Sequence, residues 1–187
     1  SERFLKVRNS FYESELEPSL ATSVNQESLT LSSEIDKISS EKLNLKDQIT
    51  KIYFLMNLYY YASATSGEDT KKVENADKYI QYSDSLSEFL AEIEKKSKQP
   101  TSDSEKENLS DVQKWIQEEN IPEKASFYKA LNLSLKKLAG ADVNRKQIVD
   151  LLKSIPKKFM KNEGGLSLYN HPTIIEAIKK NKPKKRK

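Results

Sequence analysis

From Ala21 to Tyr59 the side chains repeat every seven residues, with seam positions separated by alternating steps of three and four. A stripe with that spacing is buried only if the segment is helical and another helix lies along it. One set of seam positions reads Ala21, Ser28, Ile35, Lys42, Ile49 and Met56, and the other reads Val24, Leu31, Ile38, Leu45, Ile52 and Tyr59. The second set is apolar throughout, whereas Ser28 and Lys42 interrupt the first; single polar seam residues fix register at some cost in stability. The expected partner-binding seam is therefore Val24, Leu31, Ile35, Ile38, Lys42, Leu45, Ile49, Ile52, Met56 and Tyr59. It would engage another helical protein or a second copy of the chain, and an intramolecular helical hairpin would use the same stripe.

Past Gln48 the stripe widens until Tyr53, Phe54, Leu55, Leu58, Tyr60 and Tyr61 cover nearly the whole circumference. A helix that is apolar all round has to be covered on several sides. Thr65-Ser66-Gly67-Glu68-Asp69 reads as a turn, and a second helix carrying Tyr79, Tyr82, Leu86, Phe89 and Ile93 folds back on the first. The Tyr59-Tyr60-Tyr61 cluster lies among acidic residues, which favours packing in a core or protein interface over base stacking.

Only 4 Gly and 6 Pro occur among 187 residues, and 32% of residues are charged, a composition that belongs to helices. The expected fold is all-α: a long heptad-bearing helix with a folded-back second helix, plus a C-terminal bundle of four to five short helices. Residues 1–94 form an acidic coiled-coil or helical-hairpin stalk, 95–107 a linker, 108–180 a small basic helical domain and 181–187 a basic tail. Pro122, Gly140, the Asn144/Gln147 pair, Pro156 and Pro172 mark helix ends in the basic domain, with Trp115 as its core anchor.

Charge is divided along the chain far more sharply than its net +4 indicates. Residues 1–120 carry 15 Lys+Arg against 23 Asp+Glu, and residues 121–187 carry 17 against 5. A neutral solvated surface mixes both signs, so a basic excess of this size points to a polyanion. Lys136, Lys137, Arg145, Lys146, Lys157, Lys158 and Lys161 are the expected contacts to phosphate, with Lys153 on the same surface. Arg accounts for only two of the 17 cations, which favours charge attraction over base reading. At the chain end, Lys184, Lys185, Arg186 and Lys187 after Pro183 resemble a single-cluster nuclear import signal, with an import receptor as the implied partner.

Cys is absent, which excludes disulfides, thiolate metal sites and a cysteine nucleophile. No apolar run is long enough for a membrane span or a signal peptide, so a nuclear or cytoplasmic setting with no membrane contact is expected. His171 is the only imidazole, and beside Pro172 at a helix start it reads as a cap and not as a catalytic base. No zinc, calcium, phosphate-loop or dinucleotide spacing occurs, so neither an enzyme nor a cofactor is expected.

The stretch from Leu45 to Gly67 with its second helix resembles the helical core of small nuclear RNA-processing cofactors. That likeness rests on generic Leu and Tyr positions and carries no residue roles over. The C-terminal helices are similar in size and spacing to the docking domains of transcription elongation factors. The expected function is a non-catalytic nuclear assembly or adaptor subunit, as in a kinetochore, chromatin or RNA-processing complex, that binds helical proteins through the stalk and brings a basic module to chromatin or RNA. The alternatives are a nucleic-acid-binding protein dimerised by its stalk, which includes an RNA-processing cofactor, and a bacterial surface or secreted helical protein.

Overall fold

The computed structural model describes residues 33, 36–37, 43–99, 102–159 and 171–179. From Leu45 onward the described residues form six helices: α1 (Leu45–Thr65), α2 (Asp69–Ser97), α3 (Asp103–Glu118), α4 (Ile121–Leu138), α5 (Arg145–Ser154) and α6 (Pro172–Lys179). The chain is all-α, with no strand among the described residues.

Helix α1 begins where the heptad pattern gives no sign of a break. Asn44 is extended, at φ −68° and ψ 168°, and its side chain accepts the Asp47 N–H at 2.8 Å. That bond satisfies one of the donors every helix start leaves open, and Asp47 adds a negative charge at the positive end. The single long helix expected across the seam is therefore interrupted at Asn44. At the other end of α1 no basic residue lies in the last turn, and Lys72 of α2 fills that role. Its Nζ donates to the carbonyls of Ser63 and Ala64 at 3.4 and 3.3 Å, while Ser63 Oγ donates to the Lys72 carbonyl at 2.7 Å. These bonds tie the Ser66-Gly67 turn, and α2 returns antiparallel to α1 with Tyr82 stacked on Tyr59 at 5.7 Å between ring centroids.

The expected hairpin is present, and the packing continues past it. Helix α2 runs through Ser97 and α3 opens at Asp103 behind a Ser102 cap, so both ends of the expected 95–107 linker belong to helices. One apolar cluster runs from Ile49, Phe54 and Met56 of α1 through Tyr79 and Leu86 of α2 to Val112 and Ile116 of α3 and Ala125 of α4. Side chains on both sides of the linker thus share a single core. A second cluster joins Phe127 and Leu131 of α4 to Ile148 and Leu152 of α5 and to Ile174 and Ala177 of α6. Tyr60, Ile80 and Tyr128 touch both clusters, which makes α4 the common spine.

The corner into α4 uses Asn120 in the left-handed region, at φ 51° and ψ 41°. Asn tolerates that conformation better than most residues, and Pro122 at the helix start fixes the φ of the first turn. Gly140, at φ +98°, ends α4 where an L side chain would be strained. Asn144 and Gln147 form the expected capping box at the start of α5.

Candidate functional site

The seam residues fall into two groups. Val24, Leu31, Ile35, Ile38 and Lys42 lie outside the described residues. Leu45, Ile49, Ile52, Met56 and Tyr59 all lie on α1, and they do not form an outward seam. Ile49 and Met56 are fully buried, and Leu45, Ile52 and Tyr59 pack on the same cluster. Because α2 folds back along this stripe, the described half of the expected partner surface is the protein's own core.

The tyrosines follow the same logic. Tyr60 lies 5.0 Å from Tyr128, 5.5 Å from Tyr61 and 6.5 Å from Tyr79, ring to ring. Burial, and then the neighbouring Tyr61, push the Tyr60 hydroxyl up to about 12. Tyr79 is wholly enclosed, which holds its phenol well above the ordinary range, and its hydroxyl donates to the Ala125 carbonyl at 3.2 Å. A ring that donates inward and meets other rings serves packing in the core. Trp115, expected to anchor the C-terminal helices, packs instead on the first cluster, with Lys46 Nζ of α1 4.9 Å from its ring centre.

The cations separate into those held by the fold and those left facing solvent. Lys136 pairs with Asp77 at 2.6 Å and Lys129 with Asp84 at 2.9 Å, two bridges one heptad apart that join α4 to α2. Lys137 is buried, and its Nζ donates to the Ala177 carbonyl at 2.6 Å, in the last turn of α6. A cation there meets the negative end of the helix dipole, which offsets part of its desolvation. Lys136 and Lys137, both expected on the polyanion surface, are thereby withdrawn from it, the first by an ion pair and the second by burial.

Arg145, Lys146, Lys157 and Lys158 stay exposed, and Lys153 joins them. No carboxylate among the described residues makes an ion pair with any of the five. Helix α5 buries Ile148 and Leu152, which leaves Lys146 and Lys153, seven residues apart and about 20° from each other at 3.6 residues per turn, on one exposed flank, while Arg145 stands exposed at the first residue of the helix. Lys157 and Lys158 continue that run in the turn after Pro156. The first turn of α5 holds two cations and no acid, so side-chain charge and helix dipole add where most helices set them in opposition. Lys161 and the tail residues Lys184, Lys185, Arg186 and Lys187 lie outside the described residues.

His171 caps α6. Its Nδ1 accepts the Thr173 N–H at 3.3 Å, its ring meets Phe127 edge to face at 6.3 Å, and burial lowers its pKa below the ordinary 6.5. Among the described residues no cluster of three or more His, Asp or Glu is placed to hold a metal ion. No described helix is long and apolar enough to cross a membrane. The pairing of Asp77 and Asp84 with Lys136 and Lys129 escaped the sequence reading, although both pairs of positions are seven apart and so share a face on their own helices.

A scan against protein-family models finds no match, and searches of curated proteins and of solved structures return no similar chain.

Proposed function

We propose that this chain is a non-catalytic nuclear assembly subunit whose helical bundle presents a basic face, Arg145 through Lys158, to the phosphate backbone of RNA or of DNA in chromatin. The observation that supports this reading is the selective pairing of charge. Lys129 and Lys136 of α4 are paired with α2 and Lys137 is buried, whereas the five cations of α5 and the turn after it stand exposed with no carboxylate partner among the described residues. Cations kept apart from available acids favour an external anion, because phosphate neutralisation releases counterions from the nucleic acid. The composition of the set, lysines with a single arginine, suits backbone attraction more than recognition of base edges.

The adaptor element of this reading rests on the basic face and not on the seam, since Leu45 to Tyr59 serve the core. The test is titration of the full chain with duplex and single-stranded DNA and RNA at low and at moderate salt. Micromolar or tighter binding that weakens steeply with salt supports the proposal. No binding at low salt rejects it. For the nuclear setting, residues 181–187 fused to a fluorescent protein should concentrate it in nuclei, and an even distribution through the cell would remove that element.

A further inference from the structure

The flank that carries Lys146 and Lys153 also carries the one acid of α5, Asp150. At 3.6 residues per turn Asp150 lies within about 60° of both lysines around the helix axis. At 1.5 Å per residue it stands about 6 Å beyond Lys146 and about 4.5 Å before Lys153 along that axis. Ile148 and Leu152 are buried on the opposite side, and all three charged side chains are exposed.

Steps of four and three are those at which opposite charges pair along a helix. Such pairs form elsewhere in this chain, Lys98 with Glu94 at 3.5 Å and Lys114 with Glu118 at 3.8 Å. Asp150 makes no ion pair with either neighbouring lysine or with any other cation among the described residues. The polar side chains beside it are committed to the helix ends. Gln147 Oε1 accepts the Asn144 N–H at 3.3 Å, and the Ser154 hydroxyl donates to the Leu151 carbonyl at 2.6 Å. Asp150 is thus an exposed acceptor left unused among the described residues, set between two cations of the basic face.

An ionised carboxylate only accepts hydrogen bonds, so among phosphates it is repelled unless it meets a donor. The backbone of DNA presents acceptors alone. RNA adds one donor to every nucleotide, the 2′-hydroxyl, in the same sequence-independent backbone that a lysine-rich surface addresses. We infer that Asp150 is a specificity-determining residue: with Lys146 and Lys153 on phosphates to either side, its carboxylate accepts a ribose 2′-hydroxyl, and the basic face selects RNA over DNA. This inference rests on the reading of α5 as a phosphate-binding face and narrows its ligand to RNA. Amines on base edges are the other donors a nucleic acid offers, but selection through them follows sequence and is blind to the sugar.

The test titrates the full-length wild type and Asp150→Ala with RNA, DNA and 2′-O-methyl RNA of one sequence, as single strands and as duplexes, at low salt. Methylation removes the donor and leaves the phosphates, so it isolates the hydroxyl. Asp150 is exposed, and circular dichroism should show the variant folded as the wild type is. In whichever form binds more tightly, the wild type should prefer RNA to both DNA and 2′-O-methyl RNA by about tenfold, the effect of one hydrogen bond to a charged acceptor. Asp150→Ala should bind all three closely alike, with its affinity for DNA raised. An equal gain on all three ligands in Asp150→Ala, or wild-type binding that methylation leaves unchanged, would overturn the inference while the basic face stands. Absence of binding to every ligand by both proteins would reject the basic face and this inference with it.

Discussion

The ammonium of Lys136 lies 2.6 Å from the carboxylate of Asp77, so a cation from the basic half of the chain is neutralised by the acidic half. One heptad further along both helices, Lys129 repeats the arrangement with Asp84 at 2.9 Å. The division of charge along the sequence is therefore smaller in space than in sequence, and among the described residues five exposed cations without a carboxylate partner stand on α5 and in the turn after it. The Lys136 side chain is 19% exposed and that of Asp77 54%, which sets this bridge between a screened surface pair and a buried one. A double-mutant cycle with Lys136→Ala and Asp77→Ala should give a coupling of about 0.5–1 kcal/mol by chemical denaturation, shrinking as salt is raised. A coupling of zero at low salt would mean that the pair contributes nothing to holding α2 on α4.

Gly140 offers a test of the backbone alone. A Cβ at this position meets no atom within 4 Å, and the only obstacle is its φ of +98°. Gly140→Ala should therefore destabilise the fold by about 1 kcal/mol through strain, with helix content unchanged. A neutral result would show that the end of α4 relaxes to another conformation.

Which parts of this architecture could be read beforehand depends on whether a feature is local. The Asn144/Gln147 capping pair, the Gly140 stop and the His171 cap each act within a few residues, and each is found where the sequence placed it. The interruption at Asn44 is also local, but it was hidden because Leu45, Ile49 and Ile52 stay in phase with the upstream seam; periodicity reports side-chain polarity and is silent on a backbone turn. Lys136 and Lys137 were misassigned for the opposite reason. Their partners, Asp77 and the Ala177 carbonyl, are remote in sequence and only the tertiary fold brings them near. The exposed cations of α5 were legible because nothing remote answers them among the described residues.

The buried phenols make stability sensitive to alkaline pH. Tyr60, Tyr79 and Tyr82 all titrate above the ordinary value of 10, chiefly because burial disfavours the phenolate, with Asp36 adding to the effect at Tyr82. A group whose folded pKa is raised contributes stability that is complete below its unfolded pKa and is lost as pH climbs through the folded one. The melting temperature should therefore fall as pH passes 10 and continue to fall toward 12. Absorbance at the phenolate band should show a late group of tyrosines whose ionisation coincides with unfolding. If all nine tyrosines titrate together near 10 in the folded protein, the aromatic core is not closed.

His171 works on the acid side with the opposite sign. Its folded pKa is lowered by burial, so it contributes stability that is present above 6.5 and is lost as pH falls through the folded value. Protonation would also remove the acceptor that Nδ1 offers to the Thr173 N–H. His171→Asn keeps a capping acceptor that does not titrate. The wild type should lose stability between pH 7 and 5 and the variant should lose less over the same interval. Parallel curves for the two would show that the cap does not depend on the neutral imidazole.

The central claim is that phosphate meets the α5 flank and not the basic half at large. It is tested most directly by the dependence of nucleic-acid affinity on salt for the full chain, for Lys146→Gln with Lys153→Gln, and for Lys136→Gln. Each lost phosphate contact should lower the slope of log affinity against log salt by about one on duplex DNA. The account predicts a slope reduced by about two for the Lys146/Lys153 variant and unchanged for Lys136→Gln, whose lysine is already paired with Asp77. Equal slopes for all three proteins, or a reduction confined to Lys136→Gln, would contradict it.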